Sequence, residues 1–144
     1  MAPRMTTTVY TTEILRLAAS LSEPRELERE DGSAELRSPT CGSRVVMSVQ
    51  LDEDRRVEAI SQRVHACAFG QASAALIERH ARGRTHNEVA ETLVALSRWL
   101  ADDQAEAADW PDLAVLEPAR PRKGRRGAIL LPFRTLLAAI EAAR

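Results

Sequence analysis

Apolar residues first recur at helical spacing from Thr12 onward, where Ile14, Leu17, Ala18 and Leu21 share a face. That spacing predicts a short amphipathic helix. Pro24 is expected to stop it, because proline cannot continue the hydrogen-bond ladder. The period then changes to two. Val45, Met47, Val49 and Leu51 share one parity, with Ser48 and Gln50 on the other, the pattern of a half-buried strand. Asp52-Glu53-Asp54-Arg55 reads as a polar turn and Val57 to Ala66 as the return strand of a hairpin. Glu35 to Ser38 is expected to add a third strand before it.

After Cys67 the period is helical again. Phe69 to Ala81 is Ala-rich, with Leu76 and Ile77 as its larger apolar groups, and Gly83 stands where a left-handed cap belongs. Thr85-His86-Asn87-Glu88 is a capping box, and Val89, Leu93, Leu96 and Leu100 follow on one face. Ile129 to Ala143 is the last helix. Proline is at home only in a first turn, so Pro132 predicts a start near Leu131. Helix, sheet, helices in that order predict an α+β fold: a small antiparallel three-stranded sheet with helices packed on one face.

A length of 144 residues matches one domain, with residues 1–8 as a loose tail. Hydrophobic residues make up 44% and charged residues 28%, too apolar a chain for disorder. The net charge of −1 argues against holding nucleic acid or a membrane surface by bulk charge. No apolar run nears the ~20 residues of a membrane span. Glu13 and Arg16 interrupt the one candidate leader segment. A cytoplasmic location follows as the expectation, with both cysteines reduced. Six acids and no base occupy residues 101–117, and five bases and no acid occupy 120–126. No aromatics interleave those bases, so they read as a solvated or partner-docking surface that the upstream acids can neutralise. A phosphate loop, a nucleophile elbow and a paired-carboxylate motif are all missing, and no enzymatic activity is expected.

The chemistry-bearing residues are few. Cys41 lies in Pro39-Thr40-Cys41-Gly42-Ser43, a loop at the mouth of a strand with little bulk around the thiol. Cys67 lies between Ala66 and Ala68, where a strand gives way to a helix, and unpaired amides there favour a thiolate. Each could equally be a small buried hydrophobe. His65 precedes Cys67 by two, which on a strand places both on one face, a pairing that suits zinc or iron. Two cysteines and a histidine would make an open site rather than the closed four-ligand site of structural zinc.

These segments together resemble the U-type iron–sulfur cluster scaffold family, the group of NifU N-terminal domains, IscU and SufU. The resemblance runs from about residue 10 to 137. It rests on a Tyr-containing first helix, Pro24-Arg25, Pro39-Thr40-Cys41-Gly42, Val64-His65-Ala66-Cys67-Ala68 with Gln71-Ala72-Ser73-Ala74, and Ile129-Leu130-Leu131-Pro132-Phe133. It implies a scaffold or sulfur/iron carrier that takes sulfur from a cysteine desulfurase and binds a transient iron–sulfur cluster or metal ion. Cys41 and Cys67 would be its ligands, with Cys67 the more activated and His65 and Ser43 as further metal contacts. The family carries a third cysteine and an acid two residues after the first; those positions fall here on Ala128 and Ser43. A cluster would therefore need exogenous thiols or a homodimer sharing two cysteines from each chain. A zinc-binding SufU-like sulfur acceptor and a degenerate adaptor without metal are the alternatives.

Overall fold

The computed structural model describes residues 10–39 and 42–143; the tail expected over residues 1–8 lies outside them. Three antiparallel strands, β1 (Gly32–Arg37), β2 (Arg44–Leu51) and β3 (Val57–His65), pair in the order β1-β2-β3. The register sets Gly32 opposite Val49 and Arg37 opposite Arg44, then Arg44 opposite His65 and Val49 opposite Ile60. Alternation therefore sends Val45, Met47, Val49 and Ile60 to the covered face. The turn at 52–56 closes on the Asp52 carboxylate, which accepts from the backbone N–H groups of Asp54 and Arg56, both at 2.9 Å.

Four helices follow or flank the sheet: α1 (Thr12–Ala19), α2 (Ala68–His80), α3 (His86–Ala101) and α4 (Arg126–Ala142). Thr11 caps α1 by accepting from the Ile14 N–H. The helix ends at Ala19, with Ser20 as its cap, so Pro24 does not terminate it. Pro24 belongs to an irregular strap, and at the next residue the Arg25 N–H donates to the Ser61 hydroxyl on β3 at 2.8 Å. The capping box of α3 forms as the sequence predicts, Thr85 and Glu88 exchanging hydrogen bonds. Gly83 is left-handed at φ +88°, and its N–H donates to the Val57 carbonyl.

The last helix corrects the sequence reading. It begins at Arg126, five residues before the expected start, and Pro132 sits in its interior. Internal proline costs about 3 kcal/mol. Burial of Ala128, Ile129, Leu130, Leu131 and Phe133 offsets that cost, at roughly 1.5–3 kcal/mol for each large side chain. The acid-rich stretch contributes to the core. Trp110, Leu113 and Leu116 are buried, the last two in a 3-10 helix at Leu113–Ala119. The indole N–H of Trp110 donates to the Leu76 carbonyl at 3.1 Å, and its ring meets Phe133 edge-on at 5.1 Å.

Arg120 leaves the basic patch to serve the fold. Its guanidinium donates to the Trp99 and Asp102 carbonyls at the end of α3, pairs with Glu117 at 3.2 Å and lies over the Trp99 ring. At the start of β1, the Asp31 carboxylate accepts from Arg29 and from the Leu51 N–H. The Arg29 hydrogen bond, followed by that of Leu51, holds this carboxyl below the usual carboxylate range. A depressed folded-state value contributes stability above about pH 4 that is lost as pH falls through it. The stability advantage of wild type over Asp31→Asn should therefore be full at pH 6 and vanish toward pH 2, as read by urea unfolding at each pH.

Candidate functional site

Three segments meet at the end of the sheet where β3 runs into α2. Antiparallel pairing of Arg44 with His65 and of Arg37 with Arg44 brings the β1–β2 connection to that same end. The connection is narrow: the Ser38 N–H donates to the Ser43 carbonyl at 2.9 Å, and the Gly42 N–H to the Ser38 carbonyl at 3.1 Å. Gly42 has φ +72° with open space around it, a conformation that costs a glycine little. Cys41, one of the two sequence-predicted thiols, lies outside the described residues. Its neighbours Pro39 and Gly42 are both exposed.

Cys67 is the N-cap of α2, with extended backbone at φ −68° and ψ 175°. Its carbonyl accepts the Gln71 N–H at 2.9 Å, while the Gln71 side chain donates to the Ala66 carbonyl. The thiol is free and half-buried, and its side chain packs against the core. Strand β3 stops at His65, so strand parity does not relate His65 to Cys67. His65 is exposed, on the face of the sheet that Arg63 shares and Val64 does not. Ser43 is 4% exposed. Among the described residues, no group of three or more His, Cys, Asp or Glu side chains is placed to hold a metal ion.

The third segment is the start of α4. Ala128 is buried at 1% exposure. A Cβ added at Gly70 would stand 3.5 Å from the Ala128 Cβ, 3.2 Å from its carbonyl oxygen and only 2.6 Å from the Ala66 Cβ. Pro132 has no N–H to offer the Ala128 carbonyl four residues earlier. The next carbonyl, that of Ile129, accepts the buried Ser73 hydroxyl at 2.6 Å. Gly70 and Ser73 thus clamp α4 against α2 beside Cys67. Along the chain these positions form only a run of small residues in α2, and no local pattern names their partner. Gly70→Ala should cost about 1–3 kcal/mol by overpacking. Chemical denaturation measures it, and a cost below about 0.5 kcal/mol would mean that the contact is slack.

No family model matches the sequence, and no curated protein matches it. Solved structures do. Structural neighbours include a NifU-like N-terminal domain and a SufU-type iron–sulfur cluster scaffold protein, and the chain shares their fold over nearly its whole length. A nitrogen-fixing NifU-like protein (N-terminal) from Brucella abortus superposes with a TM-score of 0.84 at 28% identity, covering 93% of either chain. A protein assigned as an iron–sulfur cluster assembly scaffold for the SUF system of Fervidobacterium islandicum superposes at 0.77 and 19% identity, covering 92% of this chain and 96% of the other. No helix among the described residues is long and apolar enough to cross a membrane.

Proposed function

We propose that residues 1–144 form one scaffold domain that takes sulfur from a cysteine desulfurase and holds a nascent iron–sulfur cluster or metal ion on Cys41 and Cys67. The observation that carries this reading is the position of Cys67. It occupies the N-cap position of α2, with its thiol free, at the end of the sheet that receives the β1–β2 connection. The likeness to the Brucella NifU-like protein supports it. Sulfur transfer asks little more of such a site. A thiolate attacks the terminal sulfur of the donor's persulfide, that S–S bond breaks, and the donor's cysteine leaves as thiolate. Electrons balance without a further reagent.

The cluster is cargo here, and the donor set fits loose rather than permanent holding. One chain brings two thiols, while iron–sulfur clusters are held by four ligands. Ala128, at the third position, has no donor atom. His65 and the Ser43 hydroxyl would be the further metal contacts. Exogenous thiols, or two chains contributing two cysteines each, would complete a cluster. Zinc suits the same thiols, and a zinc-binding sulfur acceptor is the second reading.

Anaerobic reconstitution with ferrous iron and sulfide tests the proposal. Visible absorption with iron and sulfide retained through desalting is the expected result. Retained zinc near one per chain with no iron would favour the zinc reading. A colourless protein without bound metal would overturn both.

A further inference from the structure

Helix α3 buries Val89, Thr92, Leu96, Trp99 and Leu100 and turns a second stripe outward. Glu91, Val94 and Arg98 are spaced by three and four residues, so they line one side of the helix. All three are exposed. At 57% exposed, Val94 is the most exposed large hydrophobic among the described residues. Glu91 and Arg98 stand two turns apart. Among the described residues, neither side chain has a hydrogen bond or an ion pair. Ala90 and Ala95 flank the stripe and leave a shallow, mostly apolar depression of about 330 Å³ around Val94.

The geometry points to a second copy of this chain as the occupant, in a twofold dimer whose α3 helices pack antiparallel about an axis between Val94 and Ala95. The stripe reads acid, apolar, base. Reversed, it reads base, apolar, acid, so it complements itself in the antiparallel sense that twofold symmetry imposes. Counting from that axis, Glu91 falls opposite the partner's Arg98, and Arg98 opposite the partner's Glu91. Val94 falls against the partner's Ala95, a large side chain over a small one. Alanines on either side let two helix axes approach to about 8 Å. A different protein would have to match this order by coincidence, whereas a second copy matches it by construction. One helix face is a small interface, so the dimer is weak and concentration-dependent. None of its residues belongs to the thiol site, and the inference stands or falls apart from the proposed function.

Sedimentation velocity of the full chain over a concentration series provides the test. Wild type should pass from monomer to dimer, and added salt should weaken the dimer. Val94→Glu, and Glu91→Arg or Arg98→Glu alone, should each weaken it at least about tenfold, with thermal melts of the dilute monomer unchanged because these side chains are exposed. Mixing Glu91→Arg with Arg98→Glu sets two arginines against two glutamates and should restore dimer to within about threefold of wild type. A chain that stays monomeric to about 1 mM, a dimer indifferent to Val94→Glu, or a mixture that fails to pair would each overturn the inference.

Discussion

Cys67→Ser is expected to abolish the visible absorption of the reconstituted protein while leaving its fold in place. Serine is close to cysteine in size, and Cys67 is only half-buried, so the packing it contributes to the core is largely kept. A neutral hydroxyl is a poor ligand for soft metal ions, whose affinity comes from charged sulfur. With two thiols in the chain, losing one removes half of the sulfur donors. Circular dichroism should match wild type within about 1 kcal/mol of unfolding free energy. Cys41→Ser should behave alike. The complementary gain is Ala128→Cys. Ala128 is buried against Gly70 of α2, so the new sulfur would arise beside the start of α2. Zinc affinity should rise at least about tenfold, equivalent to about 1.4 kcal/mol, as measured by chelator competition. Full colour in Cys67→Ser, or no gain in Ala128→Cys, would remove Cys67 or the α4 start from the site.

The second large effect is on stability. Gly32 opens β1 directly under the end of α4. A methyl group there would overlap the Ala139 carbonyl oxygen and stand 2.8 Å from the Ala143 nitrogen and 3.1 Å from its Cα. These are backbone atoms, so no side-chain rotamer relieves the overlap. Strand and helix must move apart. Gly32→Ala should therefore cost about 3 kcal/mol, at the upper end of overpacking. Ser33→Ala, on the exposed face one residue on, should stay within about 0.5 kcal/mol of wild type. Urea midpoints compare the two directly, and equal midpoints would show that α4 yields freely at this contact.

Much of the fold was legible along the chain. The alternation at Val45, Met47 and Val49, the capping box at Thr85 and Glu88, and the polar turn after Leu51 each specify their element through neighbours a few residues away. Of the candidate site, Cys67 at a strand-to-helix junction was equally readable. That Ala128 stands where the family has a third cysteine is an expectation from the family likeness, and no local pattern carries it. Strand β1 was underestimated: it runs from Gly32 rather than Glu35, because Gly32 is covered by α4 and no local period reports that.

The sequence by itself determined which residues prefer strand or helix and where caps and turns fall, because those preferences act within one or two turns of the backbone. Only the tertiary structure decided that α4 runs through Pro132, that Trp110 ties an acidic stretch into the core, and that Arg120 caps α3. It alone brought Gly70 against Ala128. In each case the energy comes from a partner tens of residues distant, and local periodicity carries no record of which remote surface will supply the burial or the hydrogen bond.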